Sequence, residues 1–278
     1  MLSLAPRVTW KSLFASVPER TAASGERRLK VGLLTGCVQR VMFPHVNQAS
    51  IHVLAAEGCE VVAPSRQGCC GALALHAGRL DEARACARRT IDTFERADVD
   101  QIAVNAAGCG SSMKEYGHLL ADDSAWAARA RAFSARVRDV TEVLDGLAPP
   151  RAPRHRLALR VAYHDACHLA HGQRVRAEPR ALLRRIPGLR LVELADSDLC
   201  CGSAGVYNVL EPEVAERLLD LKIARVAETG ARVVAAGNPG CLLQIAKGCR
   251  ERGVAVEVVH PVQLLARSAA AASARMTT

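Results

Sequence analysis

Gly68-Cys69-Cys70-Gly71 and Leu199-Cys200-Cys201-Gly202 are two versions of one phrase. Around them, Cys37, Cys69, Cys70 and Cys109 recur as Cys167, Cys200, Cys201 and Cys241, at offsets of 130, 131, 131 and 132. Four positions kept in register over that separation mark a duplicated unit. Asn105-Ala106-Ala107-Gly108-Cys109 answers Asn238-Pro239-Gly240-Cys241 more loosely. Between the copies, residues 147–154 carry three prolines, which lack an amide donor and favour extended backbone, so this stretch reads as a linker. The expected organisation is an extension over 1–30, a first cysteine-rich module over 31–146, a linker over 147–157, a second module over 158–268 and a flexible tail over 269–278.

Within the first copy, Val31–Thr35 and Gln101–Asn105 are short apolar runs ending in turn residues, and Cys59–Ala63 is a β-branched run ending at Pro64. Helical spacing fills the gaps over Val46–Glu57 and Asp81–Ala97. The second copy repeats the alternation, with strands predicted at Leu157–Tyr163, Leu189–Leu194, Arg232–Ala236 and Val254–Val259 and a helix at Pro212–Glu228. The fold class is therefore α/β, with two tandem units, each a small parallel sheet flanked by helices. In such a sheet all strand C-termini share one edge, so the loops leaving them meet in a crevice. Cys37 follows the first strand, the Cys69-Cys70 pair the second and Cys109 the third, which gathers four thiols at that edge in each unit.

At 278 residues and 50% hydrophobic, the chain can bury one sizeable core or two smaller ones, and length favours two. No run reaches the roughly 18 apolar residues of a membrane span. Arg7, Lys11 and Ser12 interrupt the apolar stretch a secretory signal needs, so a cytoplasmic location is expected. The Arg, Ser and Ala before Glu19 have some look of a transit peptide but read equally as linker. The net charge of +9 comes mostly from arginines interleaved or flanked with acids, the pattern of solvated helix faces. With aromatic content of 3%, little is available for stacking on bases, which argues against nucleic-acid binding.

Eleven cysteines without an export signal point to metal ligands or redox thiols. Four soft thiolates suit either an iron-sulfur cluster or zinc. The bland readings are a vicinal disulfide or thiols packed as small hydrophobes; recurrence of the whole quartet makes them poor explanations of Cys37, Cys69, Cys70, Cys109, Cys167, Cys200, Cys201 and Cys241. Cys59, Cys86 and Cys249 have no partner in the repeat and read as packing residues. His164, Cys167, His168 and His171 form a dense group in which a helix would bring the three histidines to one face, as in a zinc site; a strand end and a turn explain it more simply. His45 and His76 flank the first quartet and could hydrogen-bond a thiolate.

Residues 30–268 resemble, twice over, the cysteine-rich domain named after its Cys-Cys-Gly motif, here Cys69-Cys70-Gly71 and Cys200-Cys201-Gly202. That domain occurs in heterodisulfide reductase B subunits, lactate-utilisation iron-sulfur proteins and the iron-sulfur subunit of glycolate oxidase. Thr35-Gly36-Cys37-Val38-Gln39-Arg40, Gly68 to Ala72, Asn105 to Gly110 and Asp198 to Ser203 resemble the glycolate oxidase subunit most. The resemblance implies an electron-transfer subunit that takes electrons from a flavin-containing 2-hydroxy-acid dehydrogenase subunit and passes them to a quinone or other acceptor. It also implies a place in the cytoplasm, peripheral to the inner membrane through partners. No G-x-G-x-x-G follows a strand here, in keeping with flavin chemistry housed elsewhere.

Two departures stand out. The family's N-terminal ferredoxin domain, with C-x2-C-x2-C-x3-C-P runs, does not precede Val31, so either a separate ferredoxin-like chain or a shortened product is expected. Ser112 and Gln244 stand where the heterodisulfide reductase pattern closes with another cysteine. Four thiols per copy imply a 4Fe-4S cluster of cubane type, with zinc as the alternative at one site, and weaken a thiol-disulfide reductase reading. The alternative functions are a zinc-stabilised scaffold that docks partner chains and a redox subunit like those of lactate utilisation or heterodisulfide reductase.

Overall fold

The computed structural model describes residues 17–270. Strands β1 (Arg20–Thr21), β2 (Leu29–Leu34), β3 (Cys59–Val62), β4 (Gln101–Val104) and β5 (Val137–Asp139) make one sheet in the order β1-β3-β2-β4-β5. Strands β6 (Arg160–His164), β7 (Arg190–Glu193), β8 (Val233–Ala236) and β9 (Glu257–Val259) make a second in the order β7-β6-β8-β9. Every pairing is parallel except the antiparallel edge β1–β3. Apart from β1 the two orders are the same. Each reverses its winding beside the central strand, between β2 and β4 and between β6 and β8, and a crevice opens there at the carboxyl ends.

Strand alternation explains how the sheets pack. In β2, Val31 and Leu33 face one side while Leu34 faces the other; in β6, Val161 and Tyr163 face one side and Ala162 the other. The inner faces share a single core that runs from Val31, Val61 and Ala103 to Val161, Tyr163, Val233 and Val259. Helices Pro44–Ala56 and Val140–Gly146 of the first unit and Ala177–Arg184 and Pro261–Ala270 of the second lie within this shared layer. Pro44–Ala56 packs on Pro261–Ala270, and Val140–Gly146 packs on Ala177–Arg184. The helix that follows the central strand of each unit, β2 or β6, thus meets the helix after the last strand of the other, the arrangement a twofold rotation would produce. Each outer face has its own core, under helix Leu80–Arg96 in the first unit and Pro212–Glu228 in the second.

Local chemistry starts these helices. Pro44, Pro212, Pro239 and Pro261 stand in first turns, where a missing amide proton costs nothing. Asp139 caps Val140–Gly146 in a full capping box with Glu142. No helix among the described residues is long and apolar enough to cross a membrane.

The parallel sheets, the flanking helices and the cysteines at the strand C-terminal edge are as the residue pattern predicts. Three features differ. Residues 20–21, expected in an extension, add β1 to the first sheet, because Glu19 accepts the Ala63 amide through its carbonyl. β5 was not predicted; its three residues are too few to show a period. The proline-rich connection is no solvated tether: the carboxylate of Glu57, 2% exposed, takes the amides of Arg151 and Ala152 at 2.6 and 3.3 Å and the guanidinium of Arg154. Besides the core of its own outer face, each unit shares the inner one with the other.

Candidate metal centre

Each cysteine stands where a strand end hands over to a helix. Cys37 is the residue before helix Val38–Met42, Cys69 and Cys70 lie in the loop after β3, and Cys109 is in the first turn of helix Ala107–Lys114. In the second unit, Cys167 precedes the π-helical turn His168–Gly172, Cys200 and Cys201 follow β7, and Cys241 lies in the first turn of helix Pro239–Glu251. The glycine of each Cys-Cys-Gly phrase is left-handed, φ +84° at Gly71 and +89° at Gly202. In the same turns the amides of Gly71 and Gly202 donate to Cys69 Sγ and Cys200 Sγ at 3.4 and 3.3 Å. A side chain at either glycine would strike the helix behind it, at Cys86 and Ala83 or at Ala215.

All eight thiols line one cavity of about 270 Å³. The two units face each other across it, so the quartets are neighbours although corresponding thiols stand 130 to 132 positions apart in the chain. Cys70, Cys201 and Cys241 are buried and the other five half-buried; none is in a disulfide. Cys37 Sγ lies 3.7 Å from Cys69 Sγ. Hydrogen bonds from Cys37 and then Cys70, helped by the Gly71 amide, hold the Cys69 thiol down to about 2, whereas Cys37 is pushed up. Cys200 is likewise held down to about 2 by Cys167, Cys201 and the Gly202 amide. Cys241 is held well below the usual thiol range as well, by Cys201 first and by His164 and Asn238, so each quartet offers at least one thiolate at neutral pH, beside partners that ionise once a cation arrives.

Cys59, Cys86 and Cys249 lie outside the cavity lining. Burial pushes the Cys59 thiol up to about 12 and that of Cys249 to about 11, so both stay protonated inside their cores.

The histidines part company. His164 ends β6 and is 1% exposed; with Cys201 and Cys241 it forms a trio whose ligand atoms lie within 4.8 Å of one another. His168 turns into the cavity and stacks on His76 of the first unit, ring centroids 5.0 Å apart. His171 is exposed and faces Asp198 at 3.8 Å. A strand end followed by a turn thus replaces the single helical face the three would have shared. His45 does not line the cavity; it packs edge-on against Phe43.

Residue patterns alone pass over three contributors. Asn238 precedes helix Pro239–Glu251; its Oδ1 accepts the Gly108 amide at 3.1 Å and its Nδ2 points to Cys241 Sγ at 3.7 Å. Its structural counterpart is Ala106, which precedes helix Ala107–Lys114, so the two Asn-containing phrases align one residue out of step. Gln173 Nε2 crosses to the Ala107 carbonyl at 2.9 Å. Lys222 is fully buried and donates to the carbonyls of Asp196 and Ser197. Its only signal is a lysine on the apolar stripe of its helix.

Residues 31–114 and 161–246 each match the model of the cysteine-rich domain, CCG. The chain belongs to this family. Its cysteine-rich relatives include the probable glycolate oxidase iron-sulfur subunit of Bacillus subtilis, 39% identical over 91% of this chain and 57% of that one. Lactate utilization protein A of an Exiguobacterium species is 32% identical over 84% of this chain and 96% of that one. The chain spans little more than half the length of the former relative and nearly all of the latter. A hypothetical protein of Helicobacter pylori shares the fold, with a TM-score of 0.60, at 8% identity over 96% of this cysteine-rich chain and 55% of that one.

Proposed function

We propose that this chain is the iron-sulfur electron-transfer subunit of a complex that oxidises glycolate or a related 2-hydroxy acid. In that role it receives electrons from a flavin-containing subunit and passes them to a quinone or another acceptor. The observation that carries the reading is the convergence of eight thiols, from two units, on one cavity. The names of the relatives, an iron-sulfur subunit and a lactate utilization protein, support the same chemistry. A cytoplasmic subunit held at the inner membrane by its partners, with a separate ferredoxin-like chain among them, fits this reading.

Cys37, Cys69, Cys70 and Cys109 would hold one centre, and Cys167, Cys200, Cys201 and Cys241 the other. A lone zinc ion, with Zn–S near 2.3 Å, draws its sulfurs to about 3.8 Å from one another. Among the described residues, only His164, Cys201 and Cys241 form a trio of candidate ligand atoms within 4.8 Å; neither full quartet is that compact. The wider spread of the quartets favours a multi-atom cluster of the 4Fe-4S kind. A bound cluster supplies reversible one-electron chemistry. The chain supplies thiolates at fixed positions, glycine amides aimed at Cys69 and Cys200, and an apolar wall that includes Ala72 and Leu73.

The compact trio at His164 favours a second reading, a zinc ion in the second unit and a scaffold function. Iron, acid-labile sulfide and zinc measured on anaerobically purified protein separate the two. Iron with matching sulfide and broad absorbance near 400 nm, roughly as thiolate-bound clusters show, supports electron transfer. Zinc without sulfide overturns it in favour of the scaffold.

A further inference from the structure

The duplication lets the two centres be compared residue by residue within one molecule. Leu34 and His164 hold the same place, at the end of the central strand, paired with Val104 and Ala236. On the helix behind each Cys-Cys-Gly loop, Ala83, Ala87, Thr90, Ile91 and Phe94 correspond to Ala215, Leu219, Lys222, Ile223 and Val226. Two apolar or neutral residues of the first unit, Leu34 and Thr90, are thus replaced by an imidazole and an amine in the second.

Both replacements act on the second quartet. His164 is 1% exposed and neither ring nitrogen has a hydrogen-bond partner, which leaves its desolvation uncompensated. The groups it faces are the sulfurs of Cys201 and Cys241, within 4.8 Å. Lys222 is fully buried, and its Nζ is anchored 2.7 Å from the Asp196 carbonyl and 3.3 Å from that of Ser197, on the loop leading to Cys200. Those carbonyls orient the amine; burial pulls its pKa down, and Cys201 and Cys241, ahead of Asp196 and Asp198, act against that by favouring the charged form. In the first unit, Arg89 helps hold the Cys69 thiol down, but it is exposed and donates to Cys86 Sγ at 3.2 Å, where water screens it.

We infer that His164 and Lys222 make the second quartet the site of higher reduction potential and leave the first the lower, so that an electron shared between them rests on the second. The inference depends on the electron-transfer reading above. Reduction adds negative charge to the site. A buried cation stabilises that charge, and an unpartnered imidazole within 4.8 Å of the sulfurs acts in the same direction, as a dipole beside them or as a neutral ligand among thiolates. Deeper burial of Cys241 than of Cys109 opposes this, since it penalises added charge. The same low dielectric strengthens the pull of Lys222, and a whole unit of charge outweighs the partial desolvation of one ligand.

The test is an anaerobic redox titration of the full chain, followed by electron paramagnetic resonance, with iron and sulfide measured on every sample. Two couples are expected, and Cys201→Ser, by removing the second centre, should abolish the upper one. Lys222→Met should lower the upper couple by at least about 59 mV, a tenfold change in one-electron distribution, and leave the lower in place. Lys222→Arg should restore it. His164→Leu should lower the same couple, or release iron from the second centre alone if the imidazole binds metal; either result supports its part. Upper couples unmoved in both Lys222→Met and His164→Leu, at full iron content, would overturn the inference and leave the electron-transfer reading intact. Zinc without iron in the unsubstituted chain would remove both.

Discussion

The amide of Gly108, in the first unit, donates to the side chain of Asn238, in the second, at 3.1 Å, and the same side chain reaches Cys241 Sγ with its amide nitrogen at 3.7 Å. One residue therefore joins the interface between the units to a thiol of the second quartet. Beside it, Ala107 donates to the Gly237 carbonyl at 3.0 Å, so the first turn of helix Ala107–Lys114 is satisfied by the opposite unit.

Asn238→Ala removes that acceptor and the donor toward Cys241 together. The loss of one such hydrogen bond should lower stability by about 1 kcal/mol, read as a lower urea midpoint. Asn238→Asp keeps the acceptor and removes the donor, so it should recover most of the stability while altering the visible spectrum of the loaded protein. Equal loss in both variants would show that the Gly108 contact contributes nothing.

Cys70→Ser and Cys201→Ser should each remove the iron of one centre and leave the other filled, so iron per chain should fall by about half on a one-cluster-per-quartet reading. Cys86→Ser should leave iron unchanged, because Cys86 packs behind Gly71 and does not line the cavity. Full iron in both of the first two variants would refute the ligand assignment.

Glu57→Ala should be among the most damaging changes remote from the cavity. It leaves the guanidinium of Arg154, whose side chain is 11% exposed, without its carboxylate, and frees the amides of Arg151 and Ala152. Removing one partner of a buried pair costs about 3–5 kcal/mol. A denaturation midpoint close to that of the unsubstituted protein would show that the connection between the units is not clamped.

Two buried groups should tilt stability against pH in opposite directions. Burial holds the His260 imidazole down to about 3, so between that value and the ordinary value near 6.5 the unfolded chain binds a proton the folded one refuses. Stability from this group is complete above about 6.5 and lost as pH falls through the window. Burial lifts Asp139 to about 6, so between the ordinary value near 3.9 and that point the folded chain keeps a proton the unfolded one has lost, and stability falls as pH rises. Thermal midpoints from pH 4 to 7 should rise less steeply in His260→Asn and more steeply in Asp139→Asn. Identical slopes in all three proteins would contradict both assignments.

Residue order alone was enough for the duplication, the α/β class, the parallel sheets and the eight thiols, because those are periodic or repeated features and a repeat needs no coordinates to be seen. It also separated Cys59, Cys86 and Cys249 from the rest, since they lack counterparts. The tertiary structure decided what depends on contacts between distant segments. The two quartets open onto one cavity because helix Pro44–Ala56 packs on Pro261–Ala270 and Val140–Gly146 packs on Ala177–Arg184, pairings that no local pattern encodes. Which histidine serves the second quartet depends on where β6 ends and the chain turns, which points His164 at Cys201 and Cys241 and leaves His171 in solvent. Lys222 acquires its meaning only from burial: along the chain it is one lysine on a helix, and in the fold it is a charge shut in beside thiols.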